Sequence, residues 1–318
     1  MPLPDFLVIG APKAATTALH AALAGHPRLH LSPVKEPKFF LTDGPPPTTG
    51  GPGDAETYRE HVWRRADYEA LFRPGALNGE STPFYLYDTA AQRRIHDLIP
   101  HCRLIVVLRD PVERAHSNWT HLWSAGLEPI GDFPAACAAE PERKEAGWAP
   151  FWHYVSLGRY GEQLAHLYTL FPREQVLVFR YRDLLDRPAS TLNRICAFLG
   201  VEQDVLTTVP RENVTAHPEG SSRHRLLSQL VRLGDRVAGQ RLTAPLTRLL
   251  QHRARPRQAL TWEQRQALLP HFAEDIALLQ RTLGEDFSDW LRPRQRSGGL
   301  VGTRPDGQTQ SRNGRPRS

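Results

Sequence analysis

The feature that most constrains this chain is a strand, loop and helix pattern at its start. Residues 4–19 read PDFLVIGAPKAATTAL: an apolar run ends at Gly10, Lys13 follows, and Thr16 and Thr17 open a helical run. Backbone N–H groups at a helix N-terminus attract anions, and a lysine and two hydroxyls add charge and donors. The spacing G-x-x-K-x-x-T-T differs from the G-x-x-x-x-G-K-[ST] loop of nucleoside triphosphatases. The pattern therefore predicts an anion-binding loop and leaves the anion open.

Alternating strand and helix patterns continue along the chain. Residues 102–111 (CRLIVVLRDP) form an apolar run that stops at a polar turn, and residues 175–185 (QVLVFRYRDLL) repeat the pattern. A helix is expected from Pro111, and residues 190–201 predict an amphipathic helix that ends at Gly200. Strands that alternate with helices favour a parallel sheet covered on both faces. We therefore expect an α/β, P-loop-like three-layer fold with a central parallel sheet flanked by helices.

The last third of the chain carries helical patterns and ends in a basic tail. Leucine and arginine recur at helical spacing in residues 223–252, and residues 262–290 predict a final helix that closes on Trp290. We interpret residues 1–292 as one domain. Residues 293–318 are rich in arginine, glycine and polar residues, which predicts a disordered basic tail.

The net charge of the chain is concentrated in that tail. It is +6 over 318 residues, and the six arginines and one aspartate of residues 293–318 contribute +5, which leaves +1 for the rest. A nearly neutral body gives no electrostatic footprint for nucleic acid. The sequence has no apolar run of about 18 residues, and its first residues lack a basic and apolar leader pattern, so we expect neither a membrane span nor a signal peptide. The three cysteines lack metal-ligand spacing, so we expect a cytoplasmic enzyme without a disulfide framework.

A second pair of anion-binding residues follows the apolar run at 102–111. Arg109 closes the strand, and Ser117 falls within the first two turns of the helix expected after it. A guanidinium and a hydroxyl placed this way can share one anion. Triphosphatases hold magnesium with an acidic residue at this strand end, so a cation here suits another phosphate. The alternative is that Arg109 pairs with Asp110 or Glu113 and Ser117 is an ordinary helix residue.

Taken in order, five stretches of this chain resemble the sulfotransferases that use 3′-phosphoadenosine 5′-phosphosulfate (PAPS). They are PDFLVIGAPKAATTALHAAL, VKEPKFF, NGESTPFYLYD, RLIVVLRDPVERAHSNW and LGEDFSDW, over roughly residues 4–290. The resemblance is closest to the heparan-sulfate-type and bacterial branch of the family. It implies that PAPS is the co-substrate and that no metal is needed.

The resemblance also implies which residues bind PAPS. In the family the first loop, usually P-K-x-G-T-T, holds the 5′-phosphosulfate, and this role falls on the five residues Lys13, Ala14, Ala15, Thr16 and Thr17. Ala15 stands where the family usually has glycine. The contacts to the 3′-phosphate fall on Arg109 and Ser117.

A later loop is expected to add a third contact to the 3′-phosphate. The candidates lie in the stretch TAHPEGSSRHR and are Ser221, Ser222 and Arg223. Tyr160, in SLGRYGEQL, has two interpretations: it faces the nucleotide, or it belongs to the core.

Sulfuryl transfer to a hydroxyl needs a base that accepts the proton. The resemblance implies that Glu80, in NGESTPFY, is this catalytic carboxylate. Its glycine, proline and aromatic neighbours favour a fixed, partly enclosed side chain with a raised pKa. His20 and His116 are alternative bases. Glu36 and Lys38 in VKEPKFF are candidates for lining the same cleft.

We therefore expect an enzyme that transfers a sulfuryl group from PAPS to a hydroxyl of a small molecule or glycan, with an amine as the second choice. Lys13 would stabilise the charge of the leaving phosphate. One alternative is a P-loop-like nucleotide kinase that needs ATP and magnesium, against which the lysine spacing argues. The other is a non-catalytic nucleotide-binding module that works through the basic tail.

Overall fold

The computed structural model describes residues 2–210 and 258–292. Its centre is a sheet of five strands in the order β2-β3-β1-β4-β5, and every pairing between neighbours is parallel. The strands are β1 (Phe6–Gly10), β2 (Leu29–Leu31), β3 (Leu77–Ser81), β4 (Arg103–Leu108) and β5 (Val176–Arg180). The parallel α/β sheet predicted from the sequence is therefore confirmed.

Helices connect the strands and flank the sheet. In chain order they are α1 (Thr16–Ala24), α2 (Asp54–Arg59), α3 (Arg65–Glu69), α4 (Thr89–Leu98), α5 (Pro111–Ser124), α6 (Phe133–Ala138), α7 (Glu140–Glu145), α8 (Tyr160–Leu167), α9 (Tyr181–Asp186), α10 (Pro188–Leu199), α11 (Trp262–Leu268) and α12 (Pro270–Leu283). Every residue of β1 is buried, as is every residue of β4 after Arg103. Such burial on both faces is typical of parallel sheets and explains why these strands are continuous apolar runs.

The predicted helix boundaries agree with the structure at several points and differ at one. Helix α5 begins at Pro111, and α10 ends before Gly200, whose φ of 71° is the left-handed value that favours glycine. The single helix expected over residues 262–290 is instead α11, α12 and a short 3₁₀ turn at Trp290. Pro270 starts α12, because proline fits a first helical turn and not a helix interior. The helical pattern at 223–252 and the tail at 293–318 lie outside the described residues.

The sequence pattern does not reveal β3, although this strand lies between β2 and β1. Its sequence, LNGES, is polar, yet four of its five residues are buried. Gly79 lies against the Phe6 ring so closely that a Cβ there would be 2.1 Å from the Phe6 Cζ. The Asn78 amide group donates hydrogen bonds to the carbonyls of Arg73 and Ala76 at 2.9 and 3.0 Å. Internal hydrogen bonds thus take the place of apolar side chains in this strand.

The parallel arrangement brings the carboxyl ends of the strands to one edge of the sheet. Lys13 follows β1, Phe84 follows β3, Arg109 follows β4 and Tyr181 follows β5. These four residues line one cleft, as expected for ligand sites of open α/β sheets. In the parts of the chain that the structure describes, no helix combines the length and apolar character needed to cross a bilayer.

Candidate active site

The cleft at the carboxyl edge of the sheet has a volume of about 1290 Å³. It brings together most of the residues that the sequence predicts for PAPS binding. Those that line it are Lys13, Ala15, Thr16, Thr17, Arg109 and Ser117. Ala14 and Glu80 are not among the lining residues, and both are fully buried.

The loop after β1 has the backbone of an anion-binding turn. Lys13 and Ala15 have φ values of 67° and 64°, in the left-handed region where a Cβ is disfavoured. This geometry explains why glycine suits position 15 better than alanine. Helix α1 begins without a side-chain cap and without an acidic residue in its first turn. The N–H groups of a first turn have no partners inside the helix, so they point a positive partial charge into the cleft.

Ala14 occupies the inner side of the same loop. Its N–H donates to the carbonyl of Ala11 at 3.2 Å, and its methyl group packs into the core. Ala14 therefore shapes the loop, and its contact with the cofactor stays a prediction.

Arg109 joins the two predicted phosphate sites. Its guanidinium donates to the Lys13 carbonyl at 3.1 Å, lies 3.7 Å from the Glu113 carboxylate, and stacks over the Tyr181 ring at 5.0 Å. The Tyr160 hydroxyl donates to the Arg109 carbonyl at 3.0 Å, and Tyr160 is buried outside the cleft. Tyr160 thus belongs to the core and fixes the backbone that carries Arg109.

One face of α5 lines the cleft with polar side chains. They are Glu113, His116, Ser117 and Thr120, at helical spacing. The opposite face, with Val112, Ala115 and Trp119, is buried in the core. Burial and the neighbouring Arg109 lower the pKa of His116 to about 4, so its imidazole is neutral at physiological pH. The polar stripe at i, i+3, i+4 and i+7 is the sequence signal that would have identified Glu113 and Thr120.

Glu80 lies inside the protein and does not line the cleft. Its two carboxylate oxygens accept hydrogen bonds from Tyr68 at 3.1 Å and Thr82 at 2.9 Å. Burial raises the pKa of this carboxyl to about 7. The expectation of a raised pKa agrees with the structure, but the expectation of a partly enclosed side chain does not, because Glu80 has no exposed surface.

His20 is also outside the cleft. Its Nδ1 is 2.9 Å from the Ser81 hydroxyl, and burial together with Lys35 lowers its pKa to about 4. The structure therefore does not bring this alternative base to the lining of the cleft.

Glu36 and Lys38 do line the cleft, as the sequence suggested. Both have φ values near +60°, and backbone hydrogen bonds hold them on the end of β3. The Glu36 N–H donates to the Ser81 carbonyl at 3.1 Å, and the Lys38 N–H donates to the Thr82 hydroxyl at 3.3 Å. Lys35 contacts the Glu36 carboxylate, and burial lowers the pKa of the Lys38 amine. Glu36 is thus a carboxylate with a fixed backbone and access to the cleft.

Helix α11 closes another wall of the cleft. Arg265 forms two hydrogen bonds to the Asp110 carboxylate, at 3.1 and 2.7 Å, and one to the Trp290 carbonyl at 2.7 Å. Asp110 also caps α5 by accepting from Val112 and Glu113 N–H groups, both at 3.0 Å. Arg265 follows Arg109 by 156 residues, so no local pattern in the sequence links them.

Two further predictions about ligands concern a third phosphate contact and a metal. Ser221, Ser222 and Arg223, the candidates for a third phosphate contact, lie outside the described residues. Within residues 2–210 and 258–292, no group of three or more His, Cys, Asp or Glu side chains is arranged to hold a metal. Cys102, Cys137 and Cys196 are buried free thiols.

The fold and the cleft agree with a known class of enzyme. Residues 4–205 match the family described as Sulfotransferase family, so the chain belongs to the sulfotransferase family. It is also similar to the solved sulfotransferase from Alicyclobacillus acidocaldarius, with a TM-score of 0.71 and 27% identity, covering 92% of this chain and 100% of that chain. The resemblance to sulfotransferases that the sequence indicates is therefore confirmed, and it includes similarity to a bacterial enzyme.

Curated relatives of the heparan sulfate type are similar over a shorter length. Human heparan sulfate glucosamine 3-O-sulfotransferase 3B1 is 30% identical over 202 residues, which are 63% of this chain and 47% of the relative. Human heparan sulfate glucosamine 3-O-sulfotransferase 6 is 29% identical over 209 residues, covering 64% of this chain and 54% of the relative. The chain thus spans about half the length of these relatives.

Proposed function

We propose that this protein transfers a sulfuryl group from PAPS to a hydroxyl of an acceptor molecule. The observation that carries the proposal is one cleft lined by an anion-binding loop, an arginine–serine pair and an accessible carboxylate. Family membership supports the reaction class. The nucleotide kinase alternative is set aside because the chain belongs to the sulfotransferase family.

The residues of the cleft fit a ligand with two phosphate groups. The uncapped N-terminus of α1 and the Lys13 side chain favour one anionic group, and we assign them to the 5′-phosphosulfate. Arg109 and Ser117 present a guanidinium and a hydroxyl to the same cleft, and we assign them to the 3′-phosphate. PAPS would supply an activated sulfuryl group to this site.

Glu36 is the carboxylate that we assign as the general base. A base must come within hydrogen-bond reach of the hydroxyl from which it takes the proton. Glu36 lines the cleft, whereas Glu80 is enclosed by Tyr68 and Thr82 and has no surface there. Lys13 adds positive charge near the 5′-phosphosulfate site, which stabilises the charge that builds up on the leaving phosphate. Glu80 then acts as a buried support within β3.

The proposed donor is tested by comparing nucleotides. Thermal unfolding would be followed with adenosine 3′,5′-bisphosphate, with adenosine 5′-phosphate, and with ATP plus magnesium. We expect the bisphosphate to raise the melting temperature most at equal ligand concentration, because stabilisation of the native state grows with the logarithm of ligand concentration over Kd. A larger effect of ATP plus magnesium would contradict the proposal. Binding of the bisphosphate without transfer to any acceptor would favour the non-catalytic alternative.

A cytoplasmic location remains a proposal from the sequence. Fractionation of cells that express the full chain, followed by immunoblotting, tests it directly. Recovery with membranes or in the medium would contradict it.

A further inference from the structure

The cleft contains a second group of lining residues that the PAPS assignment does not use. Most of them are apolar or aromatic: Phe84, Leu122, Leu127, Phe151 and Trp152. The rings of Phe84 and Phe151 meet edge to face at 5.8 Å, and the His121 ring meets Phe151 in the same way at 5.5 Å. Phe84 is three residues after Ser81, whose carbonyl holds the Glu36 backbone. The aromatic group and the proposed base are therefore supported by the same end of β3.

This apolar wall is held in place by a buried carboxylate. Asp54 accepts hydrogen bonds from the Gly51 N–H at 2.6 Å, the Ala149 N–H at 2.7 Å and the Trp152 indole N–H at 2.9 Å. Asp54 is itself buried, so its charge is satisfied inside the protein. These hydrogen bonds connect the loop before α2 to the segment that carries Phe151 and Trp152.

In the part of the cleft that residues 2–210 and 258–292 build, the lining charges do not form a basic groove. Among the described residues, its lining has four Lys or Arg side chains and four Asp or Glu side chains. Arg265 is paired with Asp110 through two hydrogen bonds, and Arg109 lies 3.7 Å from Glu113. Lys38 is buried, with its ammonium group 3.8 Å from Glu60. Lys13 belongs to the anion-binding loop. A polyanionic glycan needs several cations beyond those that hold the donor.

We propose that the acceptor is a neutral small molecule with an aromatic or alkyl body and one hydroxyl group, and not an anionic glycan. This inference rests on the proposed function. The body of the acceptor would pack on Phe84 and Phe151, where apolar contact supplies binding free energy. Its hydroxyl would reach Glu36.

The transfer step balances with these groups. The acceptor oxygen forms a bond to sulfur, and the bond between sulfur and the bridging phosphate oxygen breaks. The hydroxyl proton passes to the Glu36 carboxylate. The bridging oxygen keeps the electron pair of the broken bond, so adenosine 3′,5′-bisphosphate leaves. Solvent then removes the proton from Glu36.

The test compares two acceptors with the full chain and radiolabelled PAPS. The neutral acceptor is 2-naphthol and the anionic one is an N-sulfated heparosan oligosaccharide. We expect kcat/KM for 2-naphthol to exceed that for the oligosaccharide by at least about tenfold, since a pocket discriminates by the contacts it makes. A higher kcat/KM for the oligosaccharide would overturn the proposal. So would failure of 2-naphthol to bind in calorimetry in the presence of adenosine 3′,5′-bisphosphate.

A variant of the aromatic wall separates this inference from the proposed function. Phe151→Ala should raise KM for 2-naphthol about tenfold and leave the bisphosphate Kd within about twofold, and Phe151→Leu should recover most of the affinity. An unchanged KM in a folded Phe151→Ala variant would overturn the acceptor class. If the wild-type protein does not bind the bisphosphate, the proposed function itself fails, and the acceptor class fails with it.

Discussion

The guanidinium of Arg109 donates a hydrogen bond of 3.1 Å to the backbone carbonyl of Lys13, so the end of β4 supports the loop after β1. The two sites assigned to the 5′ and 3′ phosphates are therefore mechanically connected. A change at Arg109 acts directly on one phosphate site and indirectly on the other.

The first prediction uses this connection. We expect Arg109→Ala to weaken binding of adenosine 3′,5′-bisphosphate about 100-fold, which corresponds to loss of a charge-assisted contact. Binding of adenosine 5′-phosphate should weaken by less than about tenfold, because it loses only the support of the loop. Titration calorimetry measures both affinities. Arg159→Ala, at a partly exposed arginine 3.8 Å from Glu162 and outside the cleft lining, is the control. Equal losses for the two nucleotides would show that Arg109 is purely structural.

A second prediction concerns Lys13. Lys13→Ala should lower kcat by about 100-fold, the usual effect of removing one preorganised charge stabiliser. The fold should persist, because Lys13 lies in a loop at the cleft. Lys144→Ala is a matched control, since the chain has only four lysines and Lys144 lies outside the cleft lining. A folded Lys13→Ala variant with normal turnover would contradict the assignment.

The third prediction distinguishes the two candidate carboxylates. Glu36→Gln should lower kcat by about 10²–10⁴ and leave the bisphosphate Kd within a few-fold, as expected for a general base. Glu80→Gln should keep kcat within a few-fold, because its side chain does not line the cleft. Single-turnover rates with saturating PAPS measure both. A large loss of kcat in Glu80→Gln with little loss in Glu36→Gln would show instead that Glu80 is the general base, as the sequence resemblance implies.

Glu80 leads to a fourth prediction, on the pH dependence of stability. Burial raises the pKa of Glu80 in the folded protein to about 7, above the ordinary value of 4.5, so the folded protein binds this proton more tightly than the unfolded chain does. The stabilisation is fully present below about pH 4.5 and is lost as the pH rises through 7. The contribution of this proton to the free energy of unfolding is about 3 kcal/mol at low pH.

Urea unfolding at pH 5 and pH 8 measures this effect. The wild type should lose more stability between these values than Glu80→Gln, which has no titrating group at the site. Identical losses in the two proteins would mean that Glu80 does not titrate in this range.

A fifth prediction concerns the contact between α11 and the start of α5. Both Arg265 and Asp110 are buried, and Arg265→Ala would leave the Asp110 carboxylate with an unpaired charge. We expect the free energy of unfolding to fall by about 3 kcal/mol. Arg281→Ala, at an exposed position on α12, should change it by less than about 0.5 kcal/mol. Similar losses in the two variants would contradict a stabilising role for the pair.

Much of the sheet is predictable from the sequence because its central strands are apolar runs. β1, β4 and β5 stand out in this way, and each is followed by a recognisable helix start. β3 does not, since Gly79 is required by the ring of Phe6 and Asn78 is satisfied by backbone carbonyls. Both reasons are tertiary, so no local pattern contains them.

In the candidate site, too, local features are predictable from the sequence and tertiary ones are not. The placement of Lys13, Arg109 and Ser117 in one cleft is predictable from the sequence, because strand ends and helix starts are local features with known chemistry. The choice between Glu36 and Glu80 depends on which carboxylate faces the cleft. That orientation follows from the positive φ of Glu36 and from the enclosure of Glu80 by Tyr68 and Thr82, which arise only in the folded chain.

The ion pair between Arg265 and Asp110 also bears on how the catalytic unit is delimited. The match to the family ends at residue 205, but the wall of the cleft continues into α11. A shortened chain cut at that family boundary would lack the partner of Asp110, the residue that caps α5 and follows Arg109. The segment that matches the family, residues 4–205, is therefore smaller than the physical unit that builds the cleft, and expression clones of this protein should extend at least through Trp290.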